Sequence, residues 1–386
     1  METRKLYYED CHLSHFAAQV VGCEKVPNGY EIILDATAFY PEGGGQACDL
    51  GVLGSVSVLD VQERGEQVIH LCDGPVSIGS TVEGIIDWDR RFDQMQQHTG
   101  EHIVSGIVHK MFGFDNVGFH VGEQVLTVDF DGIIPQEALS TIEAEANRAV
   151  WRNLPLRCWC PSPEELPTVG YRTKRALPWP VRIVEIPGVD KCACCGVQVG
   201  HTGEVGLIKL LTCVKFHQGV RIEMACGGRA MEILNEIYDQ NRQVSQAFSA
   251  KPSETGEAAR TMNKRLADAE YRVTCLQRQI YDTVAASYRN QGDVLHFLEN
   301  GTPVQLRELA DRIALTCGGT AAVYSGDETG WSICLISHTD DLKALGQQLK
   351  ERFNARGGGK PGTFQGTLRA AKAELEAFFN SLGDNK

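Results

Sequence analysis

The chain has 386 residues, 42% of them hydrophobic, enough for two to four domains with cores of their own. It contains no apolar run of about 18 residues, so no membrane-spanning helix is expected. Its charged N-terminus lacks the apolar core and cleavage site of a secretory signal, and the expected location is the cytoplasm. A formal net charge of −13 argues against a generally basic, nucleic-acid-coating protein, while leaving room for a local basic face at Arg90 and Arg91, in the segment 172–175, or at Arg352, Arg356 and Lys360.

Residues 1–90 read as short strands: "YEIILDATAFY", "SVSVLDVQ" and "EQVIHLC" are rich in β-branched residues, and the breaks "PEGGGQ" and "GVLGS" separate them. Regular short strands suggest a small β-barrel. From about Asp87 the period changes. Met95, Ile103, Val104, Ile107, Val108 and Met111 fall at helical spacing, and Gly113 ends the run. "HVGEQVLTVDFDG" then reads as one strand. A helix starts near Pro135, with Leu139, Ile142, Ala146, Ala149 and Val150 on one side, and the strands "RIVEI", "EVGLIKLLTCVKF" and "VRIEMACG" follow.

Residues 229–290 are helical, broken once near "KPSETGE". Met262, Leu266, Ala269, Val273, Leu276, Ile280 and Val284 step mostly by alternating four and three, which is a coiled-coil seam. It suits a helical hairpin, a dimer stalk, or a helix packed on its own domain. Residues 291–386 alternate strand and helix as a compact α/β domain. The expected class is α+β multidomain, divided at 1–90, 91–228, 229–290 and 291–386.

Fourteen cysteines in a cytoplasmic chain should be mostly reduced, and Cys23, Cys275, Cys317 and Cys334 sit among apolar neighbours as ordinary thiols do. The group Cys192, Cys194 and Cys195 in "KCACCGVQVGH" is crowded enough to hold a metal, and equally suits packed thiols or a redox pair. In "HTGEH", His98 and His102 are spaced i, i+4, which puts both imidazoles on one helical face. The motif is not HExxH, because Thr99 stands where the general base would be. Two histidines and a thiolate with an open position suit catalytic zinc, and disfavour magnesium and calcium.

The chain resembles the alanyl-tRNA editing proteins in their long form, free-standing relatives of the alanyl-tRNA synthetase editing domain. The resemblance covers nearly the whole length. It rests on "FYPEGGGQACDLG", "RRFDQMQQHTGEHIVSG", "VGFHVGEQVLTVDF", "CCGVQVGHTGEVGLIKL" and "GGGKPGTFQG", in that order. It implies an N-terminal barrel, a zinc-dependent editing domain like the second additional domain of threonyl- and alanyl-tRNA synthetases, a coiled-coil hairpin and a C-terminal DHHA1-type domain. It also implies hydrolysis of the ester joining serine, and also glycine, to transfer RNA for alanine.

Aligned on Thr202-Gly203-Glu204, the family's zinc ligands fall on His98, His102, Cys194 and Gln198, with glutamine where the family has histidine. Water or His201 could complete the shell, and Cys195 could stand in for Cys194. Gln97 and Thr99 flank the first ligand, either near the substrate or as helix surface. The resemblance places Glu42, Gly43, Gly44, Gly45 and Gln46 near the pocket, either as part of it or as a barrel turn. It assigns Arg356, Gly357, Gly358, Gly359 and Lys360 to transfer-RNA phosphates, since flexible backbone N–H groups there sit beside two cations. A homodimer through the coiled coil or the C-terminal domain is compatible with this. The alternative is a transfer-RNA-binding protein of the same family with a structural or degenerate zinc site and little hydrolytic activity.

Overall fold

The computed structural model describes residues 2–383 except 174–176 and 178. Lys174 and Arg175 of the expected basic segment lie outside the described residues. The chain divides into two compact units, Met1–Val244 and Ser245–Lys386. Among the described residues no helix is long and apolar enough to cross a membrane.

The first unit opens with β1 (Arg4–Lys5), β2 (His15–Val26), β3 (Gly29–Leu34), β4 (Ala36–Thr37), β5 (Gly51–Leu53), β6 (Val56–Arg64), β7 (Gln67–Cys72) and β8 (Thr81–Ile86). Six of these close into a barrel in the order β2-β3-β7-β6-β5-β8. Period-two alternation, shifted by an irregularity between Val58 and Asp60 of β6, turns Ile32, Leu34, Val58, Val61, Val68 and Cys72 into its core. His70 is buried with them, its Nδ1 on the Ile32 carbonyl at 3.1 Å and its Nε2 on the Thr37 hydroxyl at 2.8 Å.

α1 (Trp88–Phe112) follows, capped at its start by the Asp87 side chain, which accepts from the Arg90 N–H. It ends at Gly113, whose φ of 74° is the left-handed cap that glycine adopts without strain. Arg91, expected on a basic face, is instead fully buried and paired with Asp49, and its guanidinium also donates to the Ala38 carbonyl. Arg90 donates to the Cys48 carbonyl. These two arginines fasten α1 to the barrel.

β9 (Asn116–Val121) and β10 (Leu126–Phe130) form a hairpin where the sequence suggested one strand. The chain turns at Gly122, whose N–H donates to the Val125 carbonyl. α2 (Leu139–Trp151), β11 (Arg157–Trp159), β12 (Ile183–Ile186), β13 (Asp190–Ala193), β14 (Ile208–Phe216) and β15 (Gly219–Cys226) complete the unit. The strands make a four-stranded sheet, β14-β15-β10-β9, and a three-stranded one, β11-β12-β13. Met95, Ile103, Val104 and Val108 of α1 share one apolar core with Ile142 and Ala146 of α2 and with Val128, Ile222 and Met224 of the larger sheet. α3 (Gly227–Phe248) then leads out of the unit.

The second unit contains α4 (Thr255–Ser287), β16 (Gly292–Phe297), α5 (Pro303–Cys317), β17 (Gly318–Asp327), β18 (Gly330–Ile336), α6 (Lys343–Phe353), β19 (Arg356–Gly358), β20 (Thr363–Leu368) and α7 (Lys372–Gly383). Its mixed sheet runs β16-β17-β18-β20-β19. Tyr281 and Ala285 of α4 are buried in one cluster with Leu309 and Ile313 of α5. The heptad residues Met262, Leu266, Val273, Leu276 and Ile280 point the other way and are 45–63% exposed. Of the seam, only its last residue, Val284, packs against the unit's own core; the residues before it are left exposed.

Candidate metal centre

α1 brings His98 and His102 side by side, with ring centroids 5.4 Å apart, stacked and each only 2% exposed. Cys194, just past β13, meets them: its Sγ lies 3.3 Å from His98 Nε2. One donor atom from each of the three residues falls within 4.8 Å of the others.

Both imidazoles are held from behind. His98 Nδ1 lies 2.9 Å from the amide oxygen of Gln46. His102 Nδ1 lies 3.0 Å from Asp190 Oδ2, and Arg172 Nε donates to the other oxygen of Asp190 at 2.8 Å. With both Nδ1 atoms committed, each Nε2 is left to face Cys194. This is the arrangement that orients metal-ligating histidines.

Electrostatics fit the same reading. Burial pushes the Cys194 thiol up, but the charges of His98 and His102 and their hydrogen bonds outweigh it and hold the group well below the ordinary thiol range. Burial lowers His102, while the charge of Cys194 and the hydrogen bond to Asp190 more than reverse this and raise it well above the usual value. Asp190 is lowered: burial opposes its charge, and His102 and then Arg172 restore it. Two imidazoles and a thiolate, with oriented outer partners, are a donor set that zinc accepts, leaving a fourth position.

The neighbouring cysteines differ. Burial pushes Cys192 up to about 11, so it is a thiol rather than a thiolate. His102, Asp190 and Cys192 also approach one another, but Asp190 is already spent on His102 and Arg172. The Cys195 sulfur lies under the glycine turn, 3.0 Å from where a Cβ on Gly44 would stand. An exposed group, Asp10, Cys11 and His12, lies elsewhere on the surface; His12 Nε2 is occupied by Glu204 at 2.6 Å.

Gln198 is buried beside Cys194. Its amide oxygen accepts from the Thr99 hydroxyl at 2.8 Å, and its amide nitrogen donates to the Cys194 sulfur at 3.7 Å. It presents a donor to the thiolate in this arrangement. His201 is half exposed, 3.7 Å from Glu204, and outside the cluster. Thr99 is fully buried and also accepts from the Val199 N–H at 3.2 Å. Gln97 bridges the backbone of Cys226, donating to its carbonyl and accepting from its N–H, both at 2.9 Å. Neither Gln97 nor Thr99 is among the described residues lining the cavity, and both are tied by hydrogen bonds to neighbouring backbone.

That cavity measures about 670 Å³ and opens onto His98, His102 and Cys194. Its walls include Tyr8, Gly44, Gly45, Phe119 and Arg182. Phe119 lies 5.0 Å from the His98 ring, and Arg182 sits 4.5 Å over the ring of Tyr8. Of the expected glycine-rich group, Gly44 and Gly45 reach the cavity, whereas the Glu42 carboxylate accepts from Gln62 on the barrel. Glu101, one residue before His102, also lines the cavity and accepts from the Ser105 hydroxyl at 2.5 Å. Sequence reasoning missed Glu101, Asp190 and Arg172 in these positions; only Glu101 had a local signal, at helical spacing from His98.

In the second unit Arg356, Gly357, Gly358, Gly359 and Lys360 are all exposed. They form an edge strand and its exit rather than a loose loop. A Cβ on Gly357 would stand 2.3 Å from the Gln365 carbonyl, so glycine is needed for the strand's close approach.

A barrel joined to an α+β unit with a buried histidine–thiolate cluster is the build of a synthetase-related protein, and two family models agree. Residues 3–90 match "tRNA synthetases class II (A)", and residues 181–228 match "Threonyl and Alanyl tRNA synthetase second additional domain". The alanyl-tRNA editing protein AlaX-L of Pyrococcus horikoshii is 30% identical over 96% of this chain and 96% of its own length. The alanyl-tRNA editing protein Aarsd1-A of Xenopus laevis is 27% identical over 97% and 96%. An alanine–tRNA ligase of Thermofilum pendens is 30% identical over 98% of this chain but 44% of its own. The chain belongs to the alanyl-tRNA editing proteins.

Proposed function

We propose that the chain is a trans-editing deacylase that hydrolyses serine, and secondarily glycine, from mischarged transfer RNA for alanine in the cytoplasm, with zinc held by His98, His102 and Cys194. The observation that carries this is the cluster itself: two imidazoles and a thiolate lining a cavity, each imidazole fixed through its Nδ1. When bound, zinc supplies Lewis acidity to the ester carbonyl and activation of water near neutral pH. Asp190 holds His102 in the Nδ1–H tautomer, and Arg172 holds Asp190. Gln198 donates to the Cys194 sulfur rather than offering its oxygen, so His98, His102 and Cys194 would be the three protein ligands and a fourth position would be free for water. A site that selects serine over alanine needs a polar partner for the hydroxyl, because unpaired polar groups then penalise the analogue lacking it.

The remaining parts take supporting roles. Residues 1–90 form the barrel and 91–228 the editing domain, while 229–290 supply the helical segment and 291–386 a DHHA1-type domain. Arg356 and Lys360, beside the exposed edge of β19, suit transfer-RNA phosphates. The exposed seam of α4 suits a second copy of the chain. Val273 and Ile280 alternate with Leu276 as two-stranded coils prefer, and Arg265 stands five residues before Glu270, where a parallel partner would pair them.

The test is deacylation of serine-charged transfer RNA for alanine, with zinc content measured on the same preparation. We expect about one zinc per chain and hydrolysis that a chelator stops and zinc restores. Full zinc with no hydrolysis would favour the transfer-RNA-binding reading instead.

A further inference from the structure

The two histidines are anchored by different parts of the first unit. Asp190, which holds His102, comes from β13 and is itself fixed by Arg172. The partner of His98 comes from the barrel's glycine turn, 52 residues upstream. Gln46 is 1% exposed and is not among the described residues lining the cavity.

Its position is strongly determined. Gly43 and Gln46 exchange both backbone hydrogen bonds, at 3.1 and 3.0 Å. Gly44 and Gly45 between them have φ of +59° and +82°, the tight two-residue turn that L side chains resist. The Tyr40 hydroxyl donates to the Gly43 carbonyl at 3.0 Å. On the far side, Gly196 lies flat against the contact: a Cβ there would stand 2.4 Å from His98 Nδ1 and 3.1 Å from the Gln46 oxygen. The Gln46 amide nitrogen is buried without a hydrogen-bond partner among the described residues. The amide's one strong partner is therefore His98.

An amide can offer His98 either its oxygen or its nitrogen, and the choice sets the tautomer. In the neutral ring that a metal would need, oxygen towards Nδ1 demands Nδ1–H and leaves an Nε2 lone pair facing Cys194. Nitrogen towards Nδ1 would put the proton on Nε2 and remove that lone pair. We propose that Gln46 is a positioning residue of the metal centre: its amide oxygen holds His98 in the Nδ1–H tautomer with Nε2 towards Cys194, so the barrel's glycine turn sets the site's affinity for zinc. This rests on the metal reading above and reassigns Gln46 from substrate contact to ligand support.

The experiment compares wild type, Gln46→Leu and Gln46→Glu in the full chain, by zinc competition against a chelator, the visible spectrum of the cobalt-substituted protein, and ¹⁵N NMR of the His98 tautomer in metal-free protein. Gln46→Leu removes the acceptor at similar volume and should weaken zinc about 10- to 100-fold. It should also alter the cobalt bands and lose the Nδ1–H preference. Gln46→Glu keeps an acceptor and should bind zinc within a few-fold of wild type. Wild-type zinc affinity in Gln46→Leu overturns the proposal, as does equal loss in both variants. If wild type itself binds no zinc, the metal reading fails, and the tautomer decides: an Nδ1–H His98 that depends on Gln46 keeps the positioning role, and an unchanged tautomer removes it.

Discussion

α1 and α4 are the two longest helices among the described residues, of 25 and 33 residues, and each inverts the usual rule of burial. α1 buries polar side chains: Arg91, Gln97, His98, Glu101, His102 and Ser105 are all inside. α4 exposes apolar ones, Met262, Leu266, Val273, Leu276 and Ile280. Buried polar groups carry a desolvation cost that only specific partners offset, so they mark where geometry matters. An exposed apolar row gains nothing in the lone chain, so it marks where a partner belongs. The difference puts the candidate metal donors on one helix and an exposed apolar row on the other.

Breaking α1 should have the largest effects. His102→Ala removes one of three donors and leaves Asp190 facing a cavity. We expect loss of essentially all zinc, by elemental analysis, with α4 and the second unit still folded; full occupancy would overturn the ligand set. His201→Ala and Gln198→Ala should retain zinc, since His201 lies on Glu204 and Gln198 presents its nitrogen to Cys194. If His201→Ala strips the metal, the fourth ligand is His201.

Asp49→Ala tests another buried polar group of α1, Arg91. It leaves the Arg91 guanidinium buried without its carboxylate, and removing one partner of such a pair costs about 3–5 kcal/mol. Urea unfolding followed on the first unit should show that loss. A change below about 1 kcal/mol would mean that water reaches Arg91.

The barrel beneath α1 offers a pH version of the same test. Burial pushes His70 down from 6.5 to about 4, and the hydrogen bond to Ile32 offsets only part of this. The unfolded imidazole therefore takes its proton first as pH falls. The neutral, buried state contributes fully above about pH 6.5, and the contribution falls by about 1.4 kcal/mol per pH unit towards pH 4, for a total of about 3 kcal/mol. Denaturation at pH 7, 5.5 and 4 should show a steeper acid loss in wild type than in His70→Asn. Parallel curves would contradict the assignment.

The same contrast explains what could be read before the structure. His98 and His102 were legible because helical spacing is local, and two histidines and a cysteine in two short motifs are rare enough to notice. The α4 seam was legible for the same reason, though not whether it was covered. Asp190, Arg172 and Gln46 were illegible as ligand supports, because each acts through a strand or turn distant in sequence. Gln97 and Thr99 show the opposite case. They are neighbours of His98 along the chain, but each helical residue turns about 100° from the last, which carries them to Cys226 and Val199. Arg91 looked like surface charge because nothing local announces Asp49.

The smallest effect on stability should come from α4, and it is the most informative about association. Leu276 and Ile280 are 51% and 60% exposed, so replacing both with Glu removes little packing within the chain. Exposed helix substitutions of this kind usually change folding free energy by less than about 0.5 kcal/mol. In a paired coil the same positions are interior, where facing carboxylates are costly. We therefore expect Leu276→Glu with Ile280→Glu to leave chemical unfolding of the lone chain nearly unchanged while shifting sedimentation from dimer to monomer. Zinc content should not move, because the ligands sit on α1 and beyond β13. A double variant that sediments like wild type would show that the seam does not hold two copies together, and the apolar row of α4 would then need a different partner.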